Sequence, residues 1–203
     1  MSACMNRHLV VFAKAPRMGR VKTRLAKDIG TVAAWGFFRH ALAGLLRRLS
    51  DDSRWNTVIA VAPDTAVGSP VWPAHIDQAP QGQGDLGDRM QRTFDLMPHG
   101  PVIIVGADIP GIEPKHIADA FDALGSHDAV FGQADDGGYW LVGLKRSPKV
   151  RKIFKNVRWS GPHALSDTMA NLKGAKVALL EPLIDVDDGA DFQRWQAAQK
   201  KRP

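Results

Sequence analysis

The stretch 9-LVVFAKAPRMGRVKTRL-25 decides how the rest of the chain is read. Its first five residues, Leu9 to Ala13, are continuously apolar, as expected of a short strand buried on both faces. From Lys14 to Arg24 the chain then carries five cations in eleven residues, with Gly19 among them. A strand feeding such a loop exposes backbone amides and guanidinium groups together, a combination that neutralises a pyrophosphate or triphosphate. The plainer alternative is a solvated basic loop. A phosphate loop of the Walker A type is disfavoured, because Pro16 and Val21 stand where that pattern needs glycines.

Further apolar runs of strand length follow at Thr57 to Val61, Val102 to Gly106, Ala129 to Gly132, Tyr139 to Leu144 and Lys176 to Leu180. Between them lie segments of helical period: Val32 to Leu49, Leu86 to Met97, Pro114 to Leu124, Pro162 to Leu172 and Asp188 to about Ala198. In the first of these, Trp35, Phe38, Leu42, Leu45, Leu46 and Leu49 form one stripe, and Arg39, Arg47 and Arg48 face away. Strands alternating with helices predict a mostly parallel sheet covered on both sides, an α/β three-layer α/β/α sandwich. Ligands of such sheets bind beyond the carboxyl ends of the strands.

A chain of 203 residues is expected to form one domain spanning 1–203, with ample core. Charged residues make up 24% and hydrophobic residues 44%, which excludes the compositions of disordered chains. The lone Cys4 cannot form an internal disulfide and the seven histidines show no zinc spacing, so a reducing compartment fits. The early apolar run is too short for a signal sequence or a membrane span, and a soluble, cytoplasmic protein is expected.

The net charge of +6 is segregated: residues 1–50 carry +9, the middle hundred residues −4 and −3 by halves, and the last 53 residues +4. A nucleic-acid binder more often presents a continuous basic face with interleaved aromatics. Segregated loops of opposite sign suit a metal-assisted site for a small phosphorylated ligand, so neither nucleic acid nor membrane is the expected partner.

Acidic residues fall where such a site needs them. Asp108 follows the strand ending at Gly106, on a turn stiffened by Pro110, where a carboxylate can hold a hard divalent cation or simply cap the turn. The run Asp135-Asp136-Gly137-Gly138-Tyr139-Trp140 is first a turn signal. It can also form an open acceptor platform, with Asp135 or Asp136 orienting a hydroxyl or acting as base and Tyr139 as an aromatic wall. Trp159 is either a core residue or a second such wall, Ser160 is a natural helix cap, and His163 is read as a helix-start residue. The segment Gly82 to Gly87 matches the dinucleotide fingerprint, which keeps an NAD(P)-binding enzyme as a weaker alternative. The preceding WPAHIDQAPQ has two prolines and little continuous apolar character, where the fingerprint needs a strand, and Asp85 is a candidate cap.

The spacing Arg17-Met18-Gly19-x-x-Lys22 after a first strand resembles the signature loop of GT-A, or nucleotide-diphospho-sugar transferase, fold nucleotidyltransferases, molybdenum-cofactor guanylyltransferase among them. More closely, FAKAPRMGRVKTRLA, GDLGDRM, VGADIPG, DDGGYWLVGL, RWS and DVDDGADF resemble, in order and over nearly the whole chain, a bacterial transferase family named radical-SAM/selenodomain-associated transferases or arsenosugar-biosynthesis glycosyltransferases. Where the guanylyltransferases carry paired glycines before the arginine, this chain has Lys14-Ala15-Pro16.

The resemblance implies a Rossmann-like GT-A domain using a nucleoside triphosphate or nucleotide sugar with Mg²⁺ or Mn²⁺ and a small acceptor. It assigns nucleotide contacts to Ala13, Lys14, Arg17, Gly19, Lys22 and Arg24, and to Gly84, Asp85 and Leu86 over the base or ribose. Metal binding falls to Asp108 with Asp187, Asp185 being the reserve, and Asp188 is left to start the last helix. Because Ile109 and Pro110 follow Asp108 in place of an Asp-x-Asp pair, the metal arrangement is nucleotidyltransferase-like. Catalysis is carried by Asp108, Lys22, Arg17 and Asp136, and the acceptor by Asp135, Gly137, Gly138, Tyr139 and Trp159. The competing class is a catalytically silent nucleotide sensor.

Overall fold

The computed structural model describes residues 7–147 and 149–200, so Cys4 lies outside the described residues. Among those residues a seven-stranded sheet is built from β1 (His8–Lys14), β2 (Asn56–Ala62), β3 (Asp77–Pro80), β4 (Gly100–Gly106), β5 (Ala129–Ala134), β6 (Tyr139–Arg146) and β7 (Val177–Leu183). The spatial order is β3-β2-β1-β4-β6-β5-β7. All neighbours run parallel except β6, which is antiparallel to both β4 and β5. The helices are α1 (Leu25–Ile29), α2 (Thr31–Ser50), α3 (Leu86–Leu96), α4 (Pro114–Ser126), α5 (Ala164–Ala170) and α6 (Gly189–Lys200). The three-layer α/β architecture is the one the alternation of strands and helices predicts.

The continuous apolar strands divide by parity into two cores, one on each face of the sheet. Leu9, Val11 and Ala13 of β1 with Ile103 and Val105 of β4 pack against the stripe on α2 and against Ile117, Phe121 and Leu124 of α4. Val10, Val102 and Ile104 point to the other face, where Met90 and Phe94 of α3 and the segment around Ile153 and Phe154 cover them. Leu9, Val10, Val11 and Ile103 are all fully buried, so any one-residue slip of β1 would leave no strand face exposed but would mismatch both cores.

Four sequence expectations shift. The stretch ahead of Gly82 does contain a strand, β3, a four-residue edge strand with exposed ends that lacks the apolar run by which a central strand is recognised. A short helix, α1, precedes α2 and is separated from it by Gly30 at φ +87. Helix α5 begins at Ala164, after His163, instead of at Pro162; Ser160 caps nothing there and sits at φ +63. Arg48 does not face away. Its guanidinium donates to the carbonyls of Pro110 (3.0 Å) and Ile112 (3.1 Å), tying α2 to the loop after β4.

Gly132 illustrates how tightly the sheet face is filled, since a Cβ there would lie 2.2 Å from the indole of Trp140. Gly132→Ala is expected to lower unfolding free energy by about 1–3 kcal/mol through overpacking, with an unchanged denaturant slope, as measured by urea unfolding.

Candidate active site

The carboxyl edge of the sheet collects the chemistry. Lys14 ends β1, Asp108 follows β4, and the antiparallel β6 brings its first residues, Tyr139 and Trp140, to the same edge. Asp185 and Asp187 follow β7, three strands from β4, and the chain between them carries Val186. Val186 is fully buried with Leu25 and Ala34, which anchors the segment beneath α1 and α2 and carries its two acidic neighbours back toward β1. Asp188 accepts from the Asp191 amide (3.0 Å), while the Asp191 carboxylate accepts from the amides of Asp187 (3.1 Å) and Asp188 (3.3 Å). Asp188 thus starts α6, and its box fixes the backbone of Asp187.

Oxygens of Asp108, Asp185 and Asp187 lie within 4.8 Å of one another. Between them sits the ammonium of Lys22, whose Nζ is 2.8 Å from Asp187, 3.3 Å from Asp108 and 3.4 Å from Asp185. The Lys22 side chain is only 5% exposed, and its backbone is left-handed at φ +46, a conformation that costs a side-chain-bearing residue of order 1 kcal/mol or more. Arg24 adds a second cation on Asp187. Burial alone would lower the Lys22 pKa, but attraction to the three carboxylates wins and raises it. Asp185 is pushed up to about 7, by burial first and by the charge of Asp108 second, against the pull of Lys22. Hard oxygen donors already gathered around a cation are the donor set a Mg²⁺ or Mn²⁺ ion takes, so the residues fit such an ion.

Gly106 makes room for this arrangement, since a Cβ there would stand 3.0 Å from Asp108 Oδ1. Arg48 braces the far side of the same loop.

A cleft of about 530 Å³, a size that suits a nucleotide-sized ligand, opens beside the cluster. Lys14, Arg20, Lys22, Arg24 and Arg89 supply its cations, Asp108 and Asp187 its acids, and Phe12, Tyr139, Trp140 and Trp159 its aromatic wall. Of the predicted nucleotide contacts, Lys14, Lys22, Arg24 and Leu86 line this cleft. Ala13 is buried within the sheet and Arg17 is exposed outside the lining. Gly19, at φ +73, turns the basic loop, and the Trp35 indole anchors that loop by donating to the Pro16 carbonyl (2.7 Å). Gly84 and Asp85 stay with α3: Asp85 and Asp88 form a reciprocal capping box, and a Cβ at Gly84 would strike Asp88. At Gly82 the corresponding space is filled by Arg92. The missing Cβ atoms of these glycines make room for the protein's own side chains.

Of the predicted acceptor residues, Tyr139 and Trp159 line the cleft, whereas Asp135 to Gly138 do not. Asp136 accepts from the Gly138 amide (2.9 Å) and holds the turn, and Asp135 pairs with Arg194 (3.3 Å). Gly137, at φ +83, packs on Pro162, where a Cβ would be 2.4 Å from its carbonyl oxygen. Burial raises the Tyr139 phenol, and its hydroxyl lies 3.4 Å from Thr168, so it offers a ring and not a base.

Sequence reasoning missed Arg20, Arg89 and Gln81. Buried Gln81 donates to the Ala60 carbonyl (2.8 Å) and accepts from Arg89 (3.0 Å), bringing that guanidinium to the cleft. The available signal was the step from Leu86 to Arg89: three residues apart, the two share one face of α3, and both line the cleft.

Residues 45–161, more than half of the chain, match the model of a family described as "Uncharacterized protein conserved in bacteria (DUF2064)". No curated protein matches the chain by sequence. Among solved structures, a candidate nucleotide-diphospho-sugar transferase from Desulfovibrio desulfuricans G20 is 27% identical with a TM-score of 0.85, over 96% of this chain and 88% of that one. The 4-diphosphocytidyl-2C-methyl-D-erythritol synthase of Anaerococcus prevotii DSM 20548 shares the fold at TM-score 0.62 and 10% identity, over 98% and 100% of the two chains. A manganese complex of Rv0371c from Mycobacterium tuberculosis H37Rv shares it at TM-score 0.53 and 14% identity, over 93% and 97%.

The raised Asp185 yields a pH signature in metal-free protein. A carboxyl whose folded pKa lies above its unfolded value near 4 costs no stability below that value; the cost grows as pH rises from there and levels off above about 7. In EDTA, Asp185→Asn should therefore melt above wild type at pH 8, and the gap should close at pH 4 to 5. A gap constant across that range would show that Asp185 titrates normally.

Proposed function

From a chain that belongs to the DUF2064 family and has the nucleotide-diphospho-sugar transferase fold, we propose a divalent-metal-dependent transferase that uses a nucleoside triphosphate or nucleotide sugar. The observation that carries this reading is the carboxylate cluster of Asp108, Asp185 and Asp187 set against five cations in one cleft at the carboxyl edge of the sheet. We read residues 1–203 as one cytoplasmic domain; no helix among the described residues is long and apolar enough to cross a membrane.

Asp108 and Asp187, with Asp185 beside them, are the residues that would hold the metal; the manganese complex of the structural neighbour Rv0371c supports that kind of ion. When bound, the ion supplies charge neutralisation at phosphate oxygens. The protein's own groups do the remaining work. Lys22, Arg20 and Arg89 neutralise the phosphate chain, with Lys14 and Arg24 at the mouth of the cleft and exposed Arg17 contributing field from the loop tip. The rings of Phe12, Tyr139 and Trp159 exclude water and offer stacking faces for base or acceptor. Asp136 holds the Gly137-Gly138 turn that shapes this wall, so its contribution to catalysis is one of position.

Two forms of transfer fit. In the nucleotidyl form an acceptor oxygen attacks the α-phosphorus of a nucleoside triphosphate and pyrophosphate leaves. In the glycosyl form, favoured by the resemblance to arsenosugar-type glycosyltransferases, an acceptor hydroxyl attacks the sugar carbon and nucleoside diphosphate leaves. Incubation with the four nucleoside triphosphates and a panel of nucleotide sugars, plus Mn²⁺ or Mg²⁺, separates them by the release of pyrophosphate or nucleoside diphosphate. Release of neither, with nucleotide still bound, would favour the sensor class.

Removing a charge-assisted phosphate contact costs about 1.5–3 kcal/mol, roughly tenfold or more in affinity. Arg20→Ala and Arg89→Ala are each expected to weaken nucleotide binding by about that factor, and Arg17→Ala by less, in calorimetric titrations with Mn²⁺ present. Asp108→Asn should abolish turnover while leaving the unliganded protein at least as stable as wild type. Full activity in that variant would remove the metal assignment.

A further inference from the structure

We infer that Lys22 is a built-in counter-cation that holds the centre of the Asp108–Asp185–Asp187 cluster in the metal-free protein and yields it when a divalent ion binds. The inference rests on the metal-dependent reading above and adds to it an exchange between an internal cation and an external one.

Three observations carry it. The Lys22 ammonium contacts the same three carboxylates whose oxygens form the candidate ion site, at 2.8, 3.3 and 3.4 Å. A monovalent and a divalent cation compete for so small an oxygen set, because their mutual repulsion is twice that of two single charges at the same distance. The second observation is how Lys22 is mounted. Its carbonyl accepts from the Ala26 amide (2.9 Å) and its φ of +46 is set in the loop, so the backbone is pinned, while the four-carbon stem has the rotatable bonds that re-aim an ammonium once its partners are taken. The third is where the stem lies. Lys22 lines the cleft as well as touching the cluster, and the other cleft cations surround a volume that needs anions. An ammonium released from the carboxylates has phosphate oxygens as its next partners.

The arrangement makes metal and nucleotide cooperative. Metal alone must displace a buried ion pair; nucleotide alone must compete with three carboxylates for the same ammonium. Together, each removes the other's competitor, and linkage requires the gain to be reciprocal. The strained Lys22 backbone also ceases to be a curiosity of the loop, since it aims one flexible cation at two sets of anions.

The test uses Mn²⁺ alone, with no nucleotide, and reads bound metal by calorimetry and by the free-Mn²⁺ magnetic-resonance signal. Lys22→Met keeps the length of the stem and removes the charge; it is expected to bind Mn²⁺ about tenfold or more tightly than wild type, and Mn²⁺ should raise its melting temperature by more. If that variant is unfolded without metal, Mn²⁺-dependent recovery of its circular dichroism is the same result in another form. Lys22→Arg, which retains the charge, should bind Mn²⁺ no more tightly than wild type. Equal or weaker Mn²⁺ affinity in Lys22→Met overturns the exchange, and leaves the metal site standing if Asp108→Asn still loses the ion. Mn²⁺ affinity unchanged by Asp108→Asn overturns the exchange and the metal reading together.

Discussion

Three carboxylates gathered within 4.8 Å repel one another, and the structure holds them there only because Lys22 stands among them, with Arg24 against Asp187. Much of the carboxyl edge is organised to satisfy this requirement. Gly106 leaves room for the Asp108 carboxylate, Arg48 reaches from α2 to pin the loop that follows, and Val186 anchors the segment that returns from the far edge of the sheet. The box between Asp188 and Asp191 then sets where that segment becomes helix. The cation itself is delivered by a loop tied down through Trp35 and Pro16, on a backbone that accepts a left-handed angle at Lys22. Local cost is offset by the attraction of opposite charges in a partly dry site.

The layered architecture was legible because its cause is local. Continuous runs such as Val102 to Gly106 must be buried on both faces, and the apolar stripe on α2 has one side to bury, so a covered sheet follows. What stayed hidden depended on partners distant in sequence. Strand β3 is short, polar and at an edge, and its pairing with β2 replaces the apolar signal it lacks. Arg48 has the helical phase of a solvent-facing residue, but its long side chain bends back to two carbonyls more than sixty residues away. Periodicity reports the direction of Cβ, and long cationic side chains are the ones that depart from it.

The same distinction governs the site. Asp108 could be picked out because a carboxylate directly after a buried strand has a place in the fold assigned by topology. Asp185 and Asp187 could only be borrowed from a resemblance, since nothing local says that residues after an edge strand will cross back to β1. Arg17 and Arg20 were indistinguishable as cations of one loop. Three residues apart on a turn closed by the Arg20 amide and the Arg17 carbonyl (3.0 Å), only Arg20 lines the cleft. The glycines at 82 and 84 match a fingerprint by spacing, yet their missing Cβ atoms make space for Arg92 and Asp88. A glycine marks a close approach; it does not say by what.

Charge balance bears on the form of transfer. Five cations line the cleft and three carboxylates form the cluster, which leaves +2 with all three carboxylates ionised and +4 once a divalent ion is added. A nucleoside triphosphate carries about four negative charges at neutral pH and a nucleotide sugar about two. The first would neutralise the metal-loaded cleft almost completely, and the second would leave it positive. Near-neutrality also places cations where charge accumulates as the reaction proceeds, as on a departing pyrophosphate, and interactions that strengthen toward the transition state are the ones that accelerate it. The acid at Asp185, pushed up to about 7 even with Lys22 beside it, moves in the same sense: a divalent ion among the three carboxylates would return it to the ionised form. Charge matching is therefore an argument for the nucleotidyl form of the proposed reaction, while the rings of Tyr139 and Trp159 line the cleft whichever form operates.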